Sequence, residues 1–191
     1  MQLPTFYEPS LTDADILYIL SEESQKHATL VLRLKKHDYI HLTNGKGLFC
    51  RAIIETAEKK NCVVRIESVQ FFPKKEIKVT IAISLLKNNS RLEWFLEKAA
   101  EMGVSTIIPI ITKRTEKQQF RFDRLNAILI SAMVQSGQYW LTELFQPVKF
   151  SEILDWDNYD TKLIAHCIPE EKMALANMNI DSNSIILIGP E

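Results

Sequence analysis

"IKVTIAISLLK" (Ile77–Lys87), "SRLEWFLEKAAEMG" (Ser90–Gly103) and "VSTIIPIIT" (Val104–Thr112) follow one another almost without interruption, and their order decides the fold. The first is a nearly continuous apolar run of strand length, the pattern of a strand covered on both faces. The second carries a helical period with both ends marked. Ser90 and Glu93 read as a capping box, and Gly103 closes the helix. Leu92, Phe95, Ala99 and Met102 make its expected buried stripe. The third is another apolar strand, whose Pro109 argues for an edge position or a bulge, because proline brings no N–H to a ladder. Strand, helix and strand in such close succession imply two parallel strands joined by a crossover helix.

The same rhythm continues downstream. "FDRLNAILISAMVQSG" reads as a second helix ending at Gly137, Lys162–Cys167 as a third strand, "EEKMALANM" as a third helix and "SIILIG" as a fourth strand. In a sheet of this kind ligands bind beyond the carboxyl ends of the strands. Gly189-Pro190-Glu191 stands at one such end, with Ile188 before it. Ala165-His166 stands at another, which should lie beside it. Lys87, Arg91 and Arg114 follow the first two strands on the same edge. A lone His166 is as readily a strand-end residue as a ligand contact, and Gly-Pro is as readily a plain turn. The last strand has no helix after it, so the polypeptide is expected to continue beyond Glu191.

Upstream of the linker "FPKKE" (Phe72–Glu76) the pattern is different. His27, Leu30, Val31 and Leu34 recur at helical spacing. "DYIHLTNGKGLFCRAIIE" then alternates around Asn44-Gly45, a strong hairpin signal. "EKKN" is the next turn, and "CVVRIESVQFF" the returning strand. Short strands with tight turns suggest a small β-barrel. Phe6 and Tyr7 are candidates for base stacking or, more simply, for its core.

Nearly half of the 191 residues are hydrophobic and the net charge is −1, so a nucleic acid would have to be held by local clusters rather than by bulk charge. Between Lys87 and Arg124 eight basic residues face five acidic ones, and Arg33, Lys35 and Lys36 form a smaller basic group. Lys87, Arg91 and the smaller group fit RNA phosphate or a solvated face equally well, whereas Arg114, in the polar break "TKRT" just after an apolar strand, favours a functional role. Glu93, Glu97 and Glu101 repel one another along one helix face, so a cation such as Lys98 is expected among them. No apolar run is long enough to span a bilayer. Cys50, Cys62 and Cys167 are widely spaced and odd in number. They point to neither a metal site nor a disulfide framework, and to a reducing cytoplasm.

Five stretches, "HATLVLRLKKHD", "EWFLEKAAEMGV", "IIPIITKRT", "AMVQSG" and "IGPE", together and in this order resemble the bacterial RsmE family. That resemblance implies an α/β (overall α+β) chain with an N-terminal PUA-like barrel over residues 1–72. A SPOUT methyltransferase domain with a trefoil knot would follow over 73–191. It implies methyl transfer from S-adenosylmethionine to N3 of a uridine in 16S rRNA of the small ribosomal subunit, by a homodimer without metal. On this view Ala165, His166, Ile188, Gly189, Pro190 and Glu191 hold the cofactor. Arg33, Lys35, Lys36, Lys87, Arg91 and Arg114 contact RNA, and Arg114 also serves the chemistry. The family motif reads GPEGG, so a further strand, the knot-forming loop and a last helix are expected after Glu191, and the form ending there is expected to be inactive. The chain departs from the family at Gln138 and Thr142, where an Arg and a Pro are usual. It departs again at Leu86-Lys87-Asn88, where Pro-Lys-Gly is common. Two other readings stay open: a non-catalytic rRNA-binding protein, and a SPOUT methyltransferase acting on tRNA.

Overall fold

The computed structural model describes residues 3–58, 61–85, 87–115, 119–166, 173–178, 180 and 182–189. The chain divides into two compact units, Met1–Lys74 with Met133–Leu141, and Lys75–Ala132 with Thr142–Glu191.

In the first unit, β1 (Thr5–Tyr7), β2 (Leu17–Ile19), β3 (Tyr39–Thr43), β4 (Leu48–Glu58) and β5 (Asn61–Phe71) form one sheet in the order β1-β3-β4-β5-β2. The β3–β4 hairpin forms where Asn44-Gly45 predicts it. Asn44 Oδ1 accepts from the backbone N–H of Lys46 at 2.8 Å and of Leu48 at 3.2 Å, and Gly45 and Gly47 take left-handed φ values of 67° and 91°. Alternation then sends Ile40, Leu42, Cys50, Ala52, Ile54 and Val64 into the core, all fully buried. Phe6 is buried there too, so it packs rather than stacks. Burial pushes the Cys50 thiol up to about 11 and raises that of Cys62, which leaves both as inert apolar groups.

The short helix departs from its expected face. The α-helix α1 (Glu22–Lys26), capped by Ser21 Oγ, runs into a π-helical turn (His27–Val31) in which Leu32 N–H donates to the His27 carbonyl five residues back. This wider winding breaks the three-and-four spacing. Ala28 is buried, while Leu30 and Val31 face solvent.

The second unit holds β6 (Val79–Ser84), α2 (Asn89–Glu101), β7 (Thr106–Ile111), α3 (Phe122–Ser136, whose last turn joins the first unit), β8 (Glu143–Leu144), β9 (Val148–Lys149), α4 (Phe150–Leu154), β10 (Thr161–Ala165) and β11 (Ser184–Ile188). Its sheet is parallel at every pairing and ordered β10-β11-β6-β7-β8, with β9 also on β7. Ala82, Ile108, Ile110, Ile185 and Leu187 pack on one face with Ile153, Phe150, Trp156 and Tyr159.

Three expectations change here. Asn88, not Ser90, caps α2: its Oδ1 accepts from Ser90 N–H at 2.9 Å, and Ser90 lies inside the helix. Asn caps as well as Ser, so the helix starts earlier and Glu93 is released for another partner. Met102 is 80 % exposed, being the C-cap past the last turn, and the buried stripe is Leu92, Leu96, Ala99 and Ala100, the same helical period turned toward Leu96 and Ala100. Pro109 is neither on an edge strand nor at a bulge. It is buried within β7, between β6 and the β8/β9 side. Ile107 accepts from Phe145 on the β8 side, so Pro109, two residues on, faces that side as well. There β8 pairs only with Thr106 and Ile107, and β9 only with Ile110 and Ile111. The missing N–H falls in the gap between them. Within "EEKMALANM" the described part is a 3-10 turn, Leu175–Asn177; residues 170–172 and Cys167 lie outside the described residues.

A Cβ at Gly47 would meet the Phe72 carbonyl oxygen at 2.5 Å and the Trp140 ring at 2.9 Å, on a left-handed backbone. Gly137 has φ +69° but open space around it. Gly47→Ala is therefore expected to cost roughly 2–4 kcal/mol, strain plus overpacking, and Gly137→Ala about 1 kcal/mol. Chemical-denaturation midpoints check the ranking.

Candidate functional site

The pairing register brings the expected edge together. Ala165 pairs with Ile188, and Ile188 with Ile83, so three strands end at one level. Strand order reverses its sense at β6: β7 and β8 lie to one side, while β11 enters on the other, ahead of β10. Such a reversal opens a crevice at the carboxyl edge. Ala165, His166 and Gly189 are exposed there and Ile188 is half-buried. Gly189 lacks a left-handed φ, and a Cβ on it would meet nothing within 4 Å. Packing within the described chain does not demand glycine at this point, so what it leaves open is space in front of the backbone. Pro190 and Glu191 lie outside the described residues.

The loop carrying Arg114 is braced by hydroxyls. Thr115 N–H donates to the Thr112 carbonyl at 3.1 Å, closing a turn. Thr112 N–H donates to Thr115 Oγ1 at 2.9 Å, and Arg114 N–H to Thr112 Oγ1 at 3.3 Å. Ser84, fully buried at the end of β6, shares a hydrogen bond with Thr115 Oγ1 at 3.2 Å. The backbone of Arg114 is thus tied to the neighbouring strand while its side chain stays exposed. Lys87 and Arg91 are exposed on the same edge, after β6 and in the first turn of α2. In the first unit Arg33, Lys35 and Lys36 are exposed just past the π turn; Arg33 has φ 55°, and Lys35 N–H donates to Asp38 Oδ2.

A cleft of about 180 Å³ opens beside this edge, between the first turns of α2 and α3. Leu85, Leu92 and Leu125 line it with buried apolar surface, and Phe120, Arg121 and Arg124 stand around it. Arg124 grips Glu93 with Nε and Nη2 at 2.6 and 2.9 Å. This pair, together with Arg121, holds the Glu93 carboxyl below its ordinary value. The three-glutamate face of α2 is relieved as expected, with Lys98 Nζ at 2.9 Å from both Glu97 and Glu101. Thr142, which stands where the resemblance implies a proline, is buried and its hydroxyl donates to the Val104 carbonyl at 2.8 Å. Among the described residues no three His, Cys, Asp or Glu side chains gather as a metal site.

Sequence reasoning missed the Ser84–Thr112–Thr115 hydroxyls and the cleft. The only hint was a serine ending an apolar run; the rest depends on which loops the sheet order makes neighbours.

Comparison with known proteins agrees with this architecture. Residues 73–191 match the family described as "RNA methyltransferase domain", and residues 20–67 match "RNA methyltransferase PUA domain". A Rickettsia conorii protein, "Ribosomal RNA small subunit methyltransferase E", is 26 % identical over 95 % of this chain and 75 % of its own length. The crystal structure of a "probable rRNA-methyltransferase" from Porphyromonas gingivalis superposes with a TM-score of 0.89 at 31 % identity, covering 99 % of this chain and 80 % of the other. A ribosomal RNA small subunit methyltransferase E from Neisseria gonorrhoeae, solved bound to S-adenosyl methionine, gives 0.86 at 25 % identity with the same coverage.

Because Glu93 titrates below its ordinary value of 4.5 when folded, its pair with Arg124 stabilises the fold above that pH. The contribution is lost as pH falls through the lower folded-state value. Glu93→Gln should melt slightly below wild type at neutral pH, the pair being exposed, and the difference should vanish in acid. A series of thermal melts against pH checks this.

Proposed function

The chain belongs to the RNA methyltransferase family, and on that premise we propose that it transfers a methyl group from S-adenosylmethionine to N3 of a uridine in 16S rRNA of the small ribosomal subunit. Residues 1–72 then form a PUA-like barrel that grips RNA, and 73–191 a SPOUT domain completed by a trefoil knot. The working form is a cytoplasmic homodimer. The Rickettsia and Neisseria relatives are named small-subunit rRNA methyltransferases, and the Neisseria one was solved with this cofactor.

The observation that carries the reading is the shared carboxyl edge. Ends of β10 and β11 open side by side, and the braced Arg114 loop leaves the same edge. Ala165, His166, Ile188 and Gly189 offer a partly apolar rim without lysine or arginine, which fits a nucleoside better than a polyanion. When bound, S-adenosylmethionine supplies an electrophilic methyl group, so the protein has to orient the acceptor and exclude water. Uridine N3 carries a proton that passes to water or a buffer base before N3 takes the methyl group, and its loss puts negative charge on the base. A guanidinium stays protonated at working pH, so Arg114 acts by holding that charge rather than by taking the proton. Hydroxyl bracing of its backbone reduces the reorganisation needed. Lys87 and Arg91 then meet RNA phosphates along the edge, and Arg33, Lys35 and Lys36 do so on the first unit.

Arg114→Ala is expected to lower methyl transfer to small ribosomal subunits by on the order of 10²–10³ with an unchanged circular dichroism spectrum. Nucleoside mass spectrometry of the product should show 3-methyluridine. Normal turnover in the variant, or a methyl group elsewhere on the base, rejects the assignment.

A further inference from the structure

The cleft between the first turns of α2 and α3 has no role in the scheme above. Its chemistry is mixed in an informative way. Leu85, Leu92 and Leu125 make a dry floor. Phe120 is half-buried at the wall, its ring centroid 6.4 Å from that of Phe122 and tilted to it. Asn89 and Gln119 bring side-chain amides to the rim. Of the two arginines, Arg124 is committed to Glu93 through both of its bonds. The Arg121 side chain is exposed and makes no hydrogen bond or ion pair among the described residues, though its charge reaches Glu93 through space. Among the described residues the lining therefore carries one net positive charge, and Arg121 is the cation without a direct partner.

These features exclude several occupants. A metal ion would meet two guanidiniums. A bare phosphate would meet three leucines and a carboxylate. A whole nucleoside cofactor needs more room, since sites for ligands of that size run to roughly 300–1,000 Å³ against about 180 Å³ here. What fits is one flat, partly apolar ring with hydrogen-bonding edges, followed by a single negative charge. We infer that the cleft takes the base of one unstacked nucleotide of the RNA substrate, set against Phe120 over the leucine floor, with the sugar outside and the phosphate on the exposed Arg121. Single-stranded RNA is bound in this way elsewhere, by aromatic stacking beside a basic rim. The cleft opens on the carboxyl edge that carries Arg114, so a nucleotide seated there anchors the strand beside the reacting base. This inference rests on the reading of the protein as one that acts on RNA.

The test uses the protein as its gene encodes it, a labelled single-stranded RNA oligonucleotide and a salt series. Phe120→Ala should weaken binding about tenfold, at the low end of what losing one stacked base costs, and Phe120→Tyr should restore it. Arg121→Ala should weaken binding and make the salt dependence shallower by about 0.7, the share of one phosphate contact on a single strand; Arg121→Lys should keep the slope. Arg121 is exposed, so its variants decide the matter even if Phe120→Ala loses stability. Variants that bind with wild-type affinity and slope overturn the cleft assignment. Methyl transfer to small subunits, run in parallel, separates the two readings. An active wild type with indifferent cleft variants sinks only the cleft. Variant-sensitive binding without any transfer sinks only the methyl-transfer reading. A wild type that binds no RNA sinks both.

Discussion

Everything at the candidate site depends on β11 being inserted between β10 and β6 in a parallel ladder. Parallel strands must all deliver their chains to the same edge. Once Ile188 is paired with Ala165 on one side and Ile83 on the other, three loops have no choice but to emerge together. The hydrogen bonds from Ser184 to the Lys78 carbonyl and from Leu85 to the Ile110 carbonyl hold the register at the two ends of the central strand. A shift of one residue would turn Ile185 and Leu187 out of the core and replace them with Ser184 and Ile186. The apolar face therefore enforces the geometry of the polar edge.

That edge then separates two tasks. Ala165, His166, Ile188 and Gly189 line the β10–β11 end, while lysine and arginine gather after β6 and β7. A rim without lysine or arginine suits a bound nucleoside and the cationic rim suits a polyanion. The protein stiffens the cationic side with short hydroxyl contacts rather than ion pairs. Ser84, Thr112 and Thr115 fix the backbone of Arg114 without touching its charge. The Arg124–Glu93 pair does the opposite: it consumes one cation and leaves Arg121 available.

Much of the second unit was legible because its signals are local. Apolar runs, a helix closed by Gly103 and the Lys98 needed between glutamates all report on residues within a few positions of one another. Where the reading slipped, a competing local solution or a distant partner decided. Asn88 outcompeted Ser90 as the cap. Glu93 found Arg124, thirty-one positions away. Pro109 was tolerated inside the sheet because β8 and β9 leave a gap opposite it. In the first unit, the π turn at His27–Val31 moved the buried face from Leu30 to Ala28, and no spacing rule for an ordinary helix anticipates that.

By itself the sequence determined that the second unit alternates strands with helices, that the first is built on a hairpin at Asn44-Gly45, and which side chains are apolar enough to be core. Periodicity and turn chemistry are properties of neighbouring residues, so they survive without a fold. Only the tertiary structure decided the strand order, the return of Met133–Leu141 to the first unit, and the meeting of Ser84 with Thr115 and of Leu85 with Phe120 around one cleft. Those facts depend on which segments share a sheet edge, a choice set by burying apolar surface across the whole chain.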